Sequence, residues 1–286
     1  MLCRGRRSDQ DSRYDLLDKQ LIDFNNIAIN RPDMKGEHDI FNRVMPRDNI
    51  AVLSFLENKH TGSRIIAANT HVFWDPNYSD VKVIQVAIMM EQITKMVDKY
   101  AKWPAMTSAQ KQRFKYRDEK DEDEDAEPIQ YADSMSYSEG AQIPLILCGD
   151  FNSTPDSGVY DLIVRGALDS DHVDLGNRKY GNFTKDGMGH QFSLKSSYSH
   201  IGELRFTNYT PGFEGVLDYV FYSTNSLSVT GLLGNVDQEY LQRVPGFPNY
   251  HFPSDHLPMV VEFAVKPKKE KPVITETDFG TQSRRA

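Results

Sequence analysis

Residues 143–155 read Ile-Pro-Leu-Ile-Leu-Cys-Gly-Asp-Phe-Asn-Ser-Thr-Pro. The continuous apolar run from Ile143 to Cys148 is short and bounded by polar punctuation, the signature of a buried strand. Gly149 and the polar residues after it end that strand, so Asp150 and Asn152 are delivered into a loop at its tip. A helix is expected to follow from about Ser157 to Arg165, with Gly166 well placed to stop it.

Working outward, Ile50–Leu56 (IAVLSFL) and Arg64–His71 (RIIAANTH) read as two strands joined by a Lys-His-Thr-Gly turn. Ser79 is placed to cap a helix running to about Tyr100, since Val83, Ile84, Ala87, Ile88, Ile93, Met96, Val97 and Tyr100 keep the helical period. Leu16, Leu17, Leu21 and Phe24 are spaced like a short helix or an irregular core strip. Further strands are expected at 216–222, 227–233 and 259–265. Residues 1–13 are polar and unpatterned. Residues 104–142 lose the apolar pattern and read as a disordered surface insertion within one domain, because core patterns resume at once beyond it. The tail from Lys266, with its KPKKEK patch, reads as disordered.

The chain has 286 residues, 39% hydrophobic and 26% charged, enough for a packed core. Its net charge is −8, but the run DEKDEDEDAE at 118–127 alone carries −7. The remainder is nearly neutral, so the sequence pI of about 5.5 does not exclude a nucleic-acid partner; it does exclude a strongly basic, histone-like protein. Two cysteines, Cys3 and Cys148, cannot build a disulfide framework or a four-ligand zinc site. No stretch approaches the roughly 18 apolar residues of a membrane span. The opening MLCRGRRSDQDSR lacks the apolar stretch of a signal peptide, so an intracellular, reduced, soluble protein is the expectation.

Four constellations carry chemistry. In Gly149-Asp-Phe-Asn152, a carboxylate and an amide two residues apart can hold a hard cation and orient a water or phosphate oxygen; an Asx turn accounts for the same residues. In Pro253-Ser-Asp-His-Leu-Pro258, His256 can donate to a phosphate or protonate a leaving group, or belong to a surface Asp-His pair. In Asn69-Thr-His-Val-Phe-Trp-Asp-Pro76, His71 ends a strand, while Trp74 and Pro76 are either core cover or a wall for stacking bases. In the fourth, Phe206–Tyr219, Asp218 enters an apolar strand, where a carboxylate needs a partner; a histidine is the natural one, and structural ion pairing is the alternative.

Taken in order, a strand ending in His, a strand with Gly-Asp-x-Asn, Leu-Asp-Tyr in a strand and Ser-Asp-His before the last strand resemble the endonuclease–exonuclease–phosphatase superfamily. The wording NTHVFWDP, SDVKVIQV, LILCGDFNSTPDSGVYDLI, FTNYTPGFEGVLDYVFY and FPSDHLP is similar to one branch of it. That branch comprises the fungal catalytic subunits of the carbon-catabolite-repression/negative-on-TATA deadenylase complex. Upstream, LLDKQLIDFNNIAINRP and NRVMPRDNIAVLSFLE also resemble that branch, so the likeness covers residues 14–265 apart from the acidic insertion.

The resemblance implies an α/β fold, the four-layered sandwich of the superfamily, and a metal-dependent, poly(A)-specific 3′-to-5′ exoribonuclease that releases AMP. It implies Asp150 as metal ligand and handler of the attacking water's proton, Asn152, His71 and His256 on the scissile phosphate, and Asp218 holding His256. Asp255 is implied as an aid to a second metal, Asn208 as a substrate contact, and Pro76 with Phe213 as the pair that sandwiches an adenine. Two Mg²⁺ ions, single-stranded poly(A) RNA, subunits of the deadenylase complex and a cytoplasmic and nuclear location follow from the same resemblance. The family's upstream strands, one with an Asn and one with a metal-binding Glu, have no counterpart in the chain, and Glu37, Glu57 and Glu91 do not match their motifs. Nor does the docking leucine-rich repeat region. The expectation is therefore the C-terminal larger part of the domain, its first strands missing and its activity impaired; a non-catalytic fragment, or another phosphodiesterase or phosphatase of the superfamily, is the alternative.

Overall fold

The structure, a computed structural model, describes residues 13–118 and 130–267. Its centre is a hairpin of β2 (Ile50–Asn58) and β3 (Arg64–His71), turned through Lys59–Gly62. Gly62 has φ +67°, and a Cβ there would stand 1.8 Å from the Asp133 carbonyl oxygen, so the turn admits only glycine. Alternation sorts the strands: Ala51, Leu53 and Phe55 of β2 and Ile66 and Ala68 of β3 are buried, as are Leu145 and Leu147 of β4 (Leu145–Asp150). These side chains lie under α2 (Ser79–Ala101), whose apolar positions from Val81 to Tyr100 are buried and whose Tyr100 ring stacks on Phe55 at 4.1 Å. Tyr78 is the residue before that helix. Ser79 lies in its first turn, donating to the Asp174 carbonyl (3.0 Å), rather than at the cap.

Before the hairpin, the expected short helix or core strip is a strand, β1 (Tyr14–Asp23), followed by the helix α1 (Phe24–Asn30). β1 pairs with β2 from Tyr14↔Asn58 to Asp23↔Ile50, with a bulge between Leu16 and Asp18. An open ladder beside β2 overrides the helical spacing of the leucines. Asp23 caps α1, accepting from the Asn26 N–H at 3.1 Å.

The expected disordered insertion is partly built into the fold. Residues Ser108–Asp118 form the helix α3. Lys111 Nζ lies 2.7 Å from Glu57 Oε1, and Arg64 Nε donates to Glu57 Oε2 at 2.9 Å while its other nitrogens donate to the carbonyls of Trp103 and Pro104. Past the acidic run, the Tyr137 hydroxyl accepts from the Arg64 N–H at 3.1 Å, and Ser134 Oγ donates to Glu57 at 3.0 Å. Composition misses these anchors because they are polar contacts to a distant hairpin. The heart of the acidic run (119–129), residues 1–12 and the tail from 268 lie outside the described residues.

After β4, Ser157 accepts from the Tyr160 N–H at 3.2 Å and starts α4 (Gly158–Arg165), and Gly166 ends it in the left-handed region, as the sequence predicts. Short strands follow: β5 (Ala167–Leu168) with β6 (Met188–Gly189), β7 (Leu194–Ser196), and β8 (Asn208–Thr210) with β9 (Phe213–Gly215). β10 (Asp218–Ser223) then returns to the main sheet. Next comes β11 (Leu227–Leu232), and, after the short helix α5 (Gln238–Leu241), the chain closes with β12 (Val261–Val265). The main sheet has six strands in the order β1-β2-β3-β4-β10-β7. Its helix-covered face holds the core. Its other face carries Val52, Asn69, Cys148 and Val220 in register, and there Tyr222 of β10 meets Phe263 of β12 at 5.3 Å between ring centroids. The α/β class holds; of the expected four-layered sandwich, the described residues show a helix layer, the six-stranded sheet and the two-stranded β11–β12 sheet.

Candidate active site

Strand pairing assembles the site. β3 runs parallel to β4 with His71 opposite Asp150, and β10 runs antiparallel to β4 with Asp218 opposite Asp150. Residues opposite one another point to the same face, so three residues distant in sequence stand in a row at one edge. Gly149 lets the strands close: its φ is +147°, and a Cβ would meet the Thr70 carbonyl oxygen at 1.9 Å. The fourth member, His256, comes from the loop before β12 and is fixed by a bridge to Asn208. Its Nδ1 lies 2.7 Å from Asp218 Oδ2, and its Nε2 lies 3.9 Å from Asp150 Oδ2. His71 Nε2 lies 3.4 Å from the same Asp150 oxygen. Thr207 Oγ1, fully buried, accepts from the N–H groups of Leu217 (2.9 Å) and Asp218 (3.0 Å) and sets the entry of β10.

Asn152 completes the cluster. It adopts φ 47°, a left-handed conformation that asparagine tolerates better than most residues. Its N–H donates to Asp150 Oδ1 at 2.8 Å and its Nδ2 to the Val72 carbonyl at 3.1 Å. The five residues His71, Asp150, Asn152, Asp218 and His256 therefore converge.

The carboxylates of this cluster lie close enough together to act on one another and to share a cation. Burial, and then the negative charge of Asp218, push the Asp150 carboxyl above the usual aspartate range. The hydrogen bond that the His256 ring donates to Asp218 holds the imidazole above the ordinary histidine range, against its burial. Ligand atoms of Asp150, Asp218 and His256 all lie within 4.8 Å of one another. Two carboxylates and an imidazole suit a divalent cation, which would relieve their mutual repulsion. Asp255 is not part of that group: its Oδ2 accepts from Asn208 Nδ2 at 3.2 Å.

Beside the row lies a cleft of about 440 Å³, lined among others by Trp74, Pro76, Lys82, Asn152, Ser157 and Phe213. Pro76 and Phe213 thus share one hollow, and Trp74, 66% exposed, joins them. Asn208 does not line it; it stands on the histidine side, beneath His256 and Asp255. Lys82 is a residue that sequence reading missed. It sits in the apolar start of α2, it is 6% exposed, and its Nζ donates to the Asn152 carbonyl at 2.6 Å. Burial pushes its ammonium below the ordinary lysine range. Its signal was a lysine between two core valines, which reads equally well as a solvated position.

The sequence profile of the endonuclease/exonuclease/phosphatase family matches residues 100–256, more than half the chain. The chain belongs to that family. Divalent-metal dependence is general among nucleases of the endonuclease/exonuclease/phosphatase family, in keeping with the carboxylate-imidazole cluster above. Among curated proteins, the chain is 61% identical over 271 residues to the CCR4-Not complex 3′-5′-exoribonuclease subunit Ccr4 of Phaeosphaeria nodorum, covering 95% of this chain and 45% of that protein. It is 56% identical to the protein of the same name from Aspergillus clavatus, covering 95% of this chain and 40% of the relative. The chain thus spans less than half the length of these curated relatives. Among solved structures, it resembles ANGEL2, a 2′,3′-cyclic phosphatase, with TM-score 0.58 at 23% identity, covering 88% of this chain and 68% of that one. The human Nocturnin catalytic domain gives TM-score 0.51 at 19% identity, covering 89% and 61%. These two likenesses concern the fold.

Proposed function

We propose that this chain carries the catalytic site of a metal-dependent, poly(A)-specific 3′-to-5′ exoribonuclease working as part of a CCR4-Not-type deadenylase complex, in the cytoplasm and also in the nucleus. The observation that carries the reading is the row His71–Asp150–Asp218 with His256 at its end, set beside the hollow of Trp74, Pro76 and Phe213. A phosphodiester on the row would leave its terminal base in the hollow. The relatives named Ccr4 support the same reading.

In this reading Asp150, with Asp218 beside it, would hold Mg²⁺, two ions being expected, and the metal would supply charge neutralisation at the phosphate. Asp150 takes the proton of the attacking water. The water oxygen bonds to phosphorus, the bond to the 3′ oxygen of the preceding nucleotide breaks, that oxygen takes up a proton from solvent to become a 3′ hydroxyl, and 5′-AMP leaves. His71 and His256 donate to the phosphate oxygens as their charge grows, Asp218 keeps the His256 ring turned toward them, and Asn152 binds the same phosphate through its carboxamide. Pro76 and Phe213 enclose the adenine, and Asn208 acts beside His256 rather than at the base.

The test is digestion of 5′-labelled oligo(A) with and without Mg²⁺. Stepwise shortening that releases AMP, outpaces oligo(U) and disappears in Asp150→Ala is expected. Internal cleavage, or equal rates on both homopolymers, would sink the proposal.

A further inference from the structure

Only two described residues other than glycine have positive φ, and one of them, Asn152, stands in the site. Asparagine tolerates this conformation better than most residues but still prefers negative φ, so what holds the backbone there bears on where the side chain points. Here it is tied at three points: its N–H to Asp150 Oδ1 (2.8 Å), its Nδ2 to the Val72 carbonyl (3.1 Å) and its own carbonyl to Lys82 Nζ (2.6 Å). The first two ties lie within the sheet edge. The third comes from another layer, the start of α2, just after the loop that carries Trp74 and Pro76. A lysine that is 6% exposed has given up most of its hydration, and the Asn152 carbonyl accepts from its ammonium. Asp150, Asp75 and Asp174 lie near enough to act on its charge, which makes an ammonium tolerable there. Of the Asn152 carboxamide, one N–H is spent on Val72; the other N–H and the oxygen remain for a ligand in the cleft.

We propose that Lys82 is a positioning residue: its ammonium locks the Asn152 carbonyl and thereby aims the Asn152 carboxamide at the phosphate of a nucleotide held in the cleft. The phosphate end of this inference rests on the exonuclease reading; the lock itself does not. Lys82 thus joins the base-binding loop to the phosphate-binding loop through one hydrogen bond.

Two measurements test it on the full chain. By NMR hydrogen exchange, the Asn152 amide should lose about tenfold of its protection in Lys82→Met, while amides in the middle of β4 keep theirs. By kinetics on oligo(A), Lys82→Met should lower kcat about 30-fold with KM within about 3-fold, and Lys82→Arg, which can still donate, should recover most of it. In an Asn152→Ala background the same change should cost less than about 3-fold, because the carboxamide it aims is gone. Unaltered exchange at Asn152, or losses that multiply fully in the double variant, would overturn the proposal. Should Lys82→Met fail to fold, Lys82→Gln, too short to make the same bond, takes its place. If the parent chain releases no AMP, the exonuclease reading falls, and the exchange measurement alone upholds or overturns the lock.

Discussion

Asp218 and His256, 38 residues apart, meet through a 2.7 Å hydrogen bond that leaves the far nitrogen of the imidazole facing Asp150. A buried-edge carboxylate thereby gains its partner, and the histidine gains a fixed tautomer and direction. Replacing Asp218 by Asn should therefore reduce turnover about 100-fold while the affinity for oligo(A) stays within about 3-fold. Parallel loss of both in a folded variant would show that Asp218 does not act through His256.

The hollow predicts base selection. Phe213→Ala should weaken oligo(A) binding by about 1–3 kcal/mol and narrow its lead over oligo(U). Single-turnover rates on the two homopolymers give the answer; an unchanged ratio would mean that Phe213 only covers the core.

Trp74 offers a direct optical readout. The chain has two tryptophans, and Trp103 packs against Phe55 at 5.9 Å between ring centroids. Oligo(A) should quench Trp74 saturably in the inactive Asp150→Ala variant, and Trp74→Phe should abolish the change. Quenching that survives Trp74→Phe would place the RNA elsewhere.

A histidine away from the site sets a pH limit on stability. His190 Nε2 lies 3.1 Å from the Ile163 carbonyl, and its Nδ1 accepts from the Phe192 N–H at 3.1 Å, an arrangement for the neutral ring. Burial holds its pKa below the ordinary histidine range. The unfolded chain therefore binds the extra proton first, and this contribution, complete above the unfolded pKa of about 6.5, is lost as pH falls through and below it. Urea melts of the parent chain and His190→Gln should converge as pH drops from about 7.5 toward 5.5. A stability gap that stays constant over that range refutes the assignment.

What could be read beforehand was what is local. The run IPLILC followed by Gly-Asp-x-Asn gives a buried strand and its tip, because burial and turn chemistry are written into adjacent residues. The Pro76/Phe213 hollow and the Asp218–His256 pair followed from the ordered motifs and the resemblance they carry. The leucine spacing of β1 fits a helix, and only the unfilled edge of β2 decides for a strand. The arms of the acidic insertion depend on distant partners in the same way: Lys111 and Tyr137 look like loop residues until they are seen to meet Glu57 and Arg64. Lys82 carries no mark in sequence that separates a buried ammonium from a solvated one. The roles given to Asp255 and Asn208 rested on resemblance, and the structure brings the two together with each other.

The alignment of His71, Asp150 and Asp218 across three neighbouring strands has a consequence for how such a protein can change over generations. The spacing of these groups is the rung distance of the hydrogen-bond ladder, roughly 4.7–4.9 Å. A single-residue insertion or deletion in β3 or β4 would turn His71 or Asp150 toward α2 and bring Thr70 or Gly149 to the cleft, while exposing half the core of that strand. Foldability and reactivity are thus inherited as one trait: the lineage cannot drift gradually out of its chemistry by slipping these strands.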